Sequence, residues 1–317
     1  MAGFTFNVGA MISARDAVGK CLVELGEKYP TMLTVTADVD ASSRVFEFQN
    51  AYPDRSINTG IAEQSLVSVC AGLAIEGYKP LAFAFGPFLS MRSCEQIRTD
   101  ICYTKQPVVL IGSNAGYSAG TMGPTHCALE DSAIMCSIGN MTVLEPGDPF
   151  MVAKMLDAAL ALNAPVYIRL GREAAEALYP EDLKYEIGKA IITKDGDDGA
   201  FIVCGVEVRF ALEAAKRIEE ETGKKIRVVD MHTIKPIDRE AVISAAKTGK
   251  LVCAQDHNLI GGLGDKVSDV IAEEGIACKL IKRGAPDEFV PIATPEFLWK
   301  KNGMDADGLY EAMMSIL

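Results

Sequence analysis

Two kinds of apolar spacing alternate along the chain. Between residues 13 and 29, Ala17, Val18, Cys21, Leu22 and Leu25 recur every three or four positions, which predicts one buried face of a helix. An unbroken apolar run over 32–36 follows, too short for a helix, and reads as a buried strand. The same alternation predicts helices over 62–76, 88–102 and 149–163, and strands over 80–85, 107–112, 141–144 and 166–170. Strands that are continuously apolar, separated by helices, predict a parallel sheet covered on both faces. From 173 to 189 the pattern lapses into a polar stretch with Pro180, the composition of a linker. A second set of strands (200–204, 225–229, 251–255, 277–281) then alternates with helices (209–222, 238–248, 265–274), and two short helices are predicted over 295–317. The fold class is therefore α/β: two consecutive three-layer α/β/α domains, residues 1–178 with a mainly parallel sheet and residues 189–317, joined by a linker at 179–188.

Composition supports two well-filled cores and excludes some partners. The 317 residues are 49% hydrophobic and 23% charged, far from the balance of a disordered chain. A net charge of −12 argues against nucleic acid or an anionic membrane as the main partner, since both require concentrated lysine and arginine. An anionic substrate would need a local cationic pocket. The nine cysteines are scattered, without zinc or redox spacing, and suit a reduced cytoplasm. With no apolar run of about 18 residues and no basic-then-apolar start, a cytoplasmic location is expected.

The glycine clusters do not complete a nucleotide motif. Gly261, Gly262 and Gly264 lack the third glycine of a dinucleotide fingerprint at the required spacing, and no phosphate-binding loop with its lysine is present. Gly196-Asp197-Asp198-Gly199 has no downstream asparagine to complete a magnesium-diphosphate site, and reads as a charged turn. Asn58-Thr59-Gly60-Ile61-Ala62-Glu63-Gln64 is more informative. It places Glu63 in the first turn of an apolar helix just after a strand end, where open α/β sheets bind ligands. A first-turn glutamate alone is explained by the helix dipole. Here, however, Phe85-Gly86-Pro87-Phe88 with Arg92 and Gly123-Pro124-Thr125-His126 add aromatics and a histidine at later strand ends.

Together with Thr36-Ala37-Asp38, the Ile168 to Arg172 segment, Ile234 to Asp238 and His257 to Gly264, these stretches resemble the transketolase family across nearly the whole chain: a pyrimidine-binding domain followed by the family's C-terminal domain. The resemblance implies thiamine diphosphate as cofactor and transfer of a two-carbon ketol unit between phosphorylated or similarly anionic sugars. It implies that Glu63 hydrogen-bonds the aminopyrimidine ring, and burial would favour its protonated donor form. Phe85 and Phe88 are implied to pack on that ring, His126 to face the reacting end of the substrate, and Asp38 and Arg92 to join the cofactor contacts. Arg15, Ser42 and Arg172 fall where the family grips a sugar phosphate. Asn114 replaces the usual phosphate-contacting histidine, and Met122 the aspartate that reads a sugar hydroxyl, so a non-standard ketose or a sulfonated sugar becomes conceivable.

The diphosphate-binding domain of the family has no counterpart here. The resemblance therefore implies a partner subunit that carries it and holds Mg2+ (or Ca2+), in an α2β2 assembly with self-dimerisation, while this chain supplies no metal ligand. The remaining alternatives are the β subunit of a 2-oxo-acid dehydrogenase, a deoxyxylulose-phosphate-synthase-like reaction, and a non-catalytic regulatory subunit.

Overall fold

The computed structural model describes residues 11–180 and 182–317. The first ten residues, where the first domain is expected to begin, and residue 181 lie outside the described residues. The strands in chain order are β1 (Met11–Ser13), β2 (Met32–Thr36), β3 (Ser56–Asn58), β4 (Lys79–Phe85), β5 (Val109–Ser113), β6 (Thr142–Leu144), β7 (Val166–Leu170), β8 (Ala174–Glu176), β9 (Ile191–Lys194), β10 (Gly199–Val203), β11 (Ile226–Asp230), β12 (Thr233–Lys235), β13 (Lys250–Asn258) and β14 (Lys279–Ala285).

Seven strands form one sheet in the order β12-β6-β7-β5-β4-β2-β3, and five form a second in the order β14-β13-β10-β11-β9. All neighbours in these two sheets are parallel except β12 on β6 and β9 on β11, each at one edge of its sheet. The inner strands β2, β5, β7 and β10 are buried at every residue, which explains their continuous apolar sequences. Helices cover both faces. Val18, Leu22 and Leu25 of Ala14–Lys28 meet Leu156 and Leu160 of Met151–Leu162 in one core, while Leu66 and Val67 of Glu63–Ile75 belong to another.

Three features depart from the sequence reading. The helix expected over 88–102 is instead Gly86–Arg92, a short turn Cys94–Gln96 and a π-helical segment Ile97–Tyr103. At the first break the Ser93 hydroxyl donates to the Leu89 carbonyl at 2.6 Å, a local bond that competes with regular helix and bends it. Second, β12 comes from beyond the linker yet completes the edge of the first sheet, pairing Thr233 with Leu144. Its three residues are too few for periodicity to reveal. Third, the polar stretch around the linker is packed: β8 pairs with β1, and the buried Tyr179 donates to Asp230 at 2.6 Å. The turn at Gly196–Gly199 connects β9 and β10 as expected.

Candidate active site

The chemistry-bearing side chains gather where the strands of the first sheet end, the usual ligand position in a parallel sheet. Phe85 is the last residue of β4, and the helix that follows carries Phe88 one turn later. Their ring centroids are 6.0 Å apart. Arg92, four residues beyond Phe88, lies on the same helical face, and its guanidinium sits 4.0 Å from the centre of the Phe88 ring. His126 arrives on a turn closed by its own N–H donating to the Gly123 carbonyl at 3.0 Å. Its ring is 5.1 Å from Phe88 and 6.1 Å from Phe85, and Thr125 Oγ1 is 2.9 Å from its Nδ1.

Glu63 opens the helix Glu63–Ile75, is buried, and is joined to this aromatic floor through Arg92. Both its oxygens accept from Arg92 Nη1, each at 3.1 Å. In the chain on its own Glu63 thus accepts from Arg92 at both oxygens. Asp38, exposed and left-handed at the end of β2, accepts from Asn58 Nδ2 at 3.4 Å; Asn58 also reaches Asp40 at 2.7 Å. These contacts tie the ends of β2 and β3 to the loop that leads to Glu63.

A second group is cationic. Burial and the nearby charges of Arg172 and Arg44 lower the Arg15 guanidinium from its ordinary value, so these arginines crowd one another. Arg44 is bound to Asp16 at 2.7 Å, whereas Arg15 Nε is buried without a hydrogen-bond partner among the described residues. Arg172 Nη1 lies 3.2 Å from the sulfur of Met122, which is 41% exposed. Ser42 donates to the Val39 carbonyl at 3.0 Å. Asn114 is 1% exposed with both ends of its amide unpartnered among the described residues, and its carbonyl accepts from Ala128 two residues past His126. Among the described residues no group of three or more His, Cys, Asp or Glu is arranged to hold a metal ion.

Sequence reasoning assigned no role to the charges buried between the two sheets. Arg169, inside β7, places Nε 2.9 Å from Asp131 Oδ2 and Nη1 2.7 Å from Glu145 Oε1. An arginine in the middle of the run Val-Tyr-Ile-Arg-Leu was the available signal. Asp256 on β13 accepts at Oδ2 from the Tyr117 N–H and from Trp299 Nε1, both at 2.9 Å, which locks the loop after β5 to the C-terminal helix Pro295–Lys301. Gly116, at φ 57°, leaves the space that the Asp256 carboxyl fills. His257 accepts at Nε2 from the Ala133 N–H in the first turn of the helix Asp131–Ser137, a capping contact.

Burial pushes the Asp256 carboxyl up to about 7, with Trp299, Tyr117 and Arg169 resisting and Glu145 adding to the rise. A carboxyl raised in this way keeps its proton in the fold at a pH where the unfolded chain, at about 4, has lost it. Its contribution to stability therefore falls as pH rises from about 4 to about 7, by about 1.4 kcal/mol per pH unit, and levels off above. Asp256→Asn keeps an acceptor for both donors and removes the titration. Urea unfolding across pH 5 to 8 is expected to show a flatter profile and higher stability than wild type at pH 8; an unaltered slope would contradict this account.

The family model described as the transketolase pyrimidine-binding domain matches residues 10–176, and that of the transketolase C-terminal domain matches 188–309. A putative transketolase C-terminal section of Methanocaldococcus jannaschii is 36% identical over 308 residues, covering 96% of each chain. The 6-deoxy-6-sulfo-D-fructose transketolase subunit SqwH of Clostridium sp. (strain MSTE9) is 35% identical over 299 residues, covering 94% of this chain and 92% of that one. Among solved structures, a split-gene transketolase described as an inactive β4 tetramer superposes with a TM-score of 0.89 at 38% identity, covering 96% of this chain and 98% of that one. Fold and site together define an α/β protein in which a pyrimidine-binding domain precedes a C-terminal domain. The chain belongs to the transketolase family, which is thiamine diphosphate dependent.

Proposed function

We propose that this chain is the pyrimidine-binding subunit of a split transketolase, transferring a two-carbon ketol unit between anionic sugars in an active site completed by a diphosphate-binding partner. The observation that carries this reading is Glu63 buried at a helix start beside Phe85, Phe88 and His126 at the strand ends. The seat suits a flat nitrogen heterocycle, because a flat N–C–N group, the Arg92 guanidinium, already rests on Phe88 and bonds Glu63 there. When bound, thiamine diphosphate supplies the carbon nucleophile that the protein lacks.

The chain's own residues then have distinct tasks. Phe85 and Phe88 orient the ring by stacking and exclude water from one face. Glu63 exchanges a proton with the ring nitrogen. His126, held by Thr125, faces the reacting end of the sugar, where its ring can donate to or accept from hydroxyls. Arg15 and Arg172, with Ser42 and Asn114, receive the anionic tail, as guanidiniums with no carboxylate ion-pair partner among the described residues favour phosphate or sulfonate. A 2-oxo-acid dehydrogenase subunit would leave this cationic pair without a task.

The partner requirement rests on the helix Glu63–Ile75. Its outward face, Gln64, Ser65, Ser68, Val69, Gly72 and Ile75, carries no charge and leaves Val69 38% and Ile75 66% exposed, and Ile61 just before it is 76% exposed. Exposed apolar side chains on an uncharged face suit burial under a partner, and this face runs directly from Glu63. Covering it with a diphosphate-binding subunit that holds Mg2+ or Ca2+, in an α2β2 assembly, would also close the site.

The test combines the chain with a diphosphate-binding partner, thiamine diphosphate and Mg2+, and follows two-carbon transfer from a panel of ketose phosphates and sulfonated ketoses. Transfer that needs both chains supports the proposal, and 2-oxo-acid decarboxylation without ketol transfer would refute it. Within that assay, Arg172→Met is expected to raise KM for the anionic sugar about 10- to 100-fold, the loss of one or two charged hydrogen bonds, with kcat changed much less. An unchanged KM would remove Arg172 from the substrate site.

A further inference from the structure

Arg92 makes, in the chain on its own, the two contacts that the proposed function assigns to the aminopyrimidine. Its guanidinium carbon lies over the Phe88 ring, 4.0 Å from the ring centre, and its Nη1 donates to both oxygens of Glu63 at 3.1 Å. A guanidinium and an aminopyrimidine are both planar and can both hydrogen-bond one carboxyl in their plane while a face packs on an aromatic ring, the guanidinium by donating N–H and the ring nitrogen by accepting the carboxyl proton. One ring face and one carboxyl cannot serve both groups at once. We infer that Arg92 is a removable plug: its side chain fills the aminopyrimidine seat until the cofactor arrives, and swings into solvent to admit it. This rests on reading Glu63 and Phe88 as the cofactor seat, and it gives Arg92 a task opposite to that of a direct cofactor contact.

The local structure suits such a motion. The Arg92 side chain is 50% exposed and Glu63 only 6%, so the plug is the mobile member of the pair and the carboxyl the fixed one. Arg92 ends the helix Gly86–Arg92, and the Gln64 side chain donates to its carbonyl at 3.0 Å. The backbone is therefore pinned to the helix that carries Glu63, while the four-bond side chain is free to rotate outward. Displacement loses one half-exposed ion pair and one cation–π contact, both modest beside the contacts a bound ring would make. The plug also keeps the buried Glu63 charge paired in a chain that has not met its cofactor, where an unpartnered buried carboxylate would be costly.

The experiment measures the dissociation constant of thiamine diphosphate, with Mg2+, for the complex of this chain with its diphosphate-binding partner, by isothermal titration calorimetry. Arg92→Met keeps the apolar stem and removes the competing donor. It is expected to tighten the dissociation constant about 3- to 10-fold, with Arg92→Lys, charged but not flat, falling between the two. In the Glu63→Gln background the carboxylate that holds the plug is absent, and Arg92→Met should then change the constant less than twofold. An unchanged or weaker constant in Arg92→Met, where wild type binds normally, overturns the plug and makes Arg92 a bystander or a direct contact. Failure of the wild-type complex to bind the cofactor at all would instead overturn the reading of the site, and the plug with it. Should Arg92→Met assemble poorly, Arg92→Lys and Arg92→Gln carry the same comparison.

Discussion

Glu63→Gln is expected to lower kcat of the assembled two-subunit enzyme about 10²- to 10⁴-fold, the range over which positioned proton transfer acts. The substitution preserves size, and glutamine still offers an acceptor and a donor, so the helix start and its packing on the aromatic floor should persist. What it loses is the ability to exchange a proton with a ring nitrogen. Among the described residues, the polar side chains bonded to Glu63 and His126 are Arg92 and Thr125, and neither is a carboxyl that could substitute. The melting temperature should change little, because a charge at a helix N-terminus contributes only about 0.3 to 1 kcal/mol. Single-turnover measurement of ketol transfer with saturating cofactor separates this loss from weakened binding. A rate within threefold of wild type would mean that Glu63 is structural and that the catalytic proton moves elsewhere.

Arg169→Met is expected to destabilise the chain by about 3 to 5 kcal/mol, the cost of leaving a buried ion pair with one partner missing. Arg169 is wholly buried and serves four groups: Asp131 at 2.9 Å, Glu145 at 2.7 Å, and the carbonyls of Ala128 and Asp256 at 2.9 and 3.1 Å through Nη2. Burial alone would raise the Asp131 carboxyl, but the Arg169 charge and hydrogen bond outweigh it and hold the group below its ordinary value. Without Arg169, Asp131 and Glu145 must take up protons or draw in water. The damage should reach both sheets, since the Asp256 carbonyl belongs to β13 while Asp131 begins a helix packed on the first sheet. Equilibrium urea unfolding measures the effect, and a loss below 1 kcal/mol would contradict the proposed role. Neutralising the partners as well, in Arg169→Met with Asp131→Asn and Glu145→Gln, should recover part of the loss, because the penalty lies in the unpaired charges.

Strand-ending residues were legible because their signals are local. Glu63 follows a strand end within a few residues, Phe85 ends a strand with Phe88 three residues on, and Gly123 to His126 reads as a turn. Arg15 and Arg172 were singled out by resemblance, and only the folded chain shows them crowding each other. The Arg92 contact was likewise hidden. Its spacing from Phe88 predicts stacking, but nothing in the order of residues says that the guanidinium would meet a carboxyl 29 positions away.

The sequence by itself determined the α/β class, the mainly parallel character of the first sheet and the strand-end segments that carry the candidate site, because period, burial and turn chemistry act over a few residues. The broken helix after Arg92 depended on one hydroxyl choosing a backbone carbonyl, a competition too fine for periodicity to resolve. Only the tertiary structure decided that Thr233–Lys235 completes the first sheet, and that Arg169 neutralises acids drawn from distant segments. Edge pairing and buried charge depend on which groups water has left, and that is settled only when the whole chain packs.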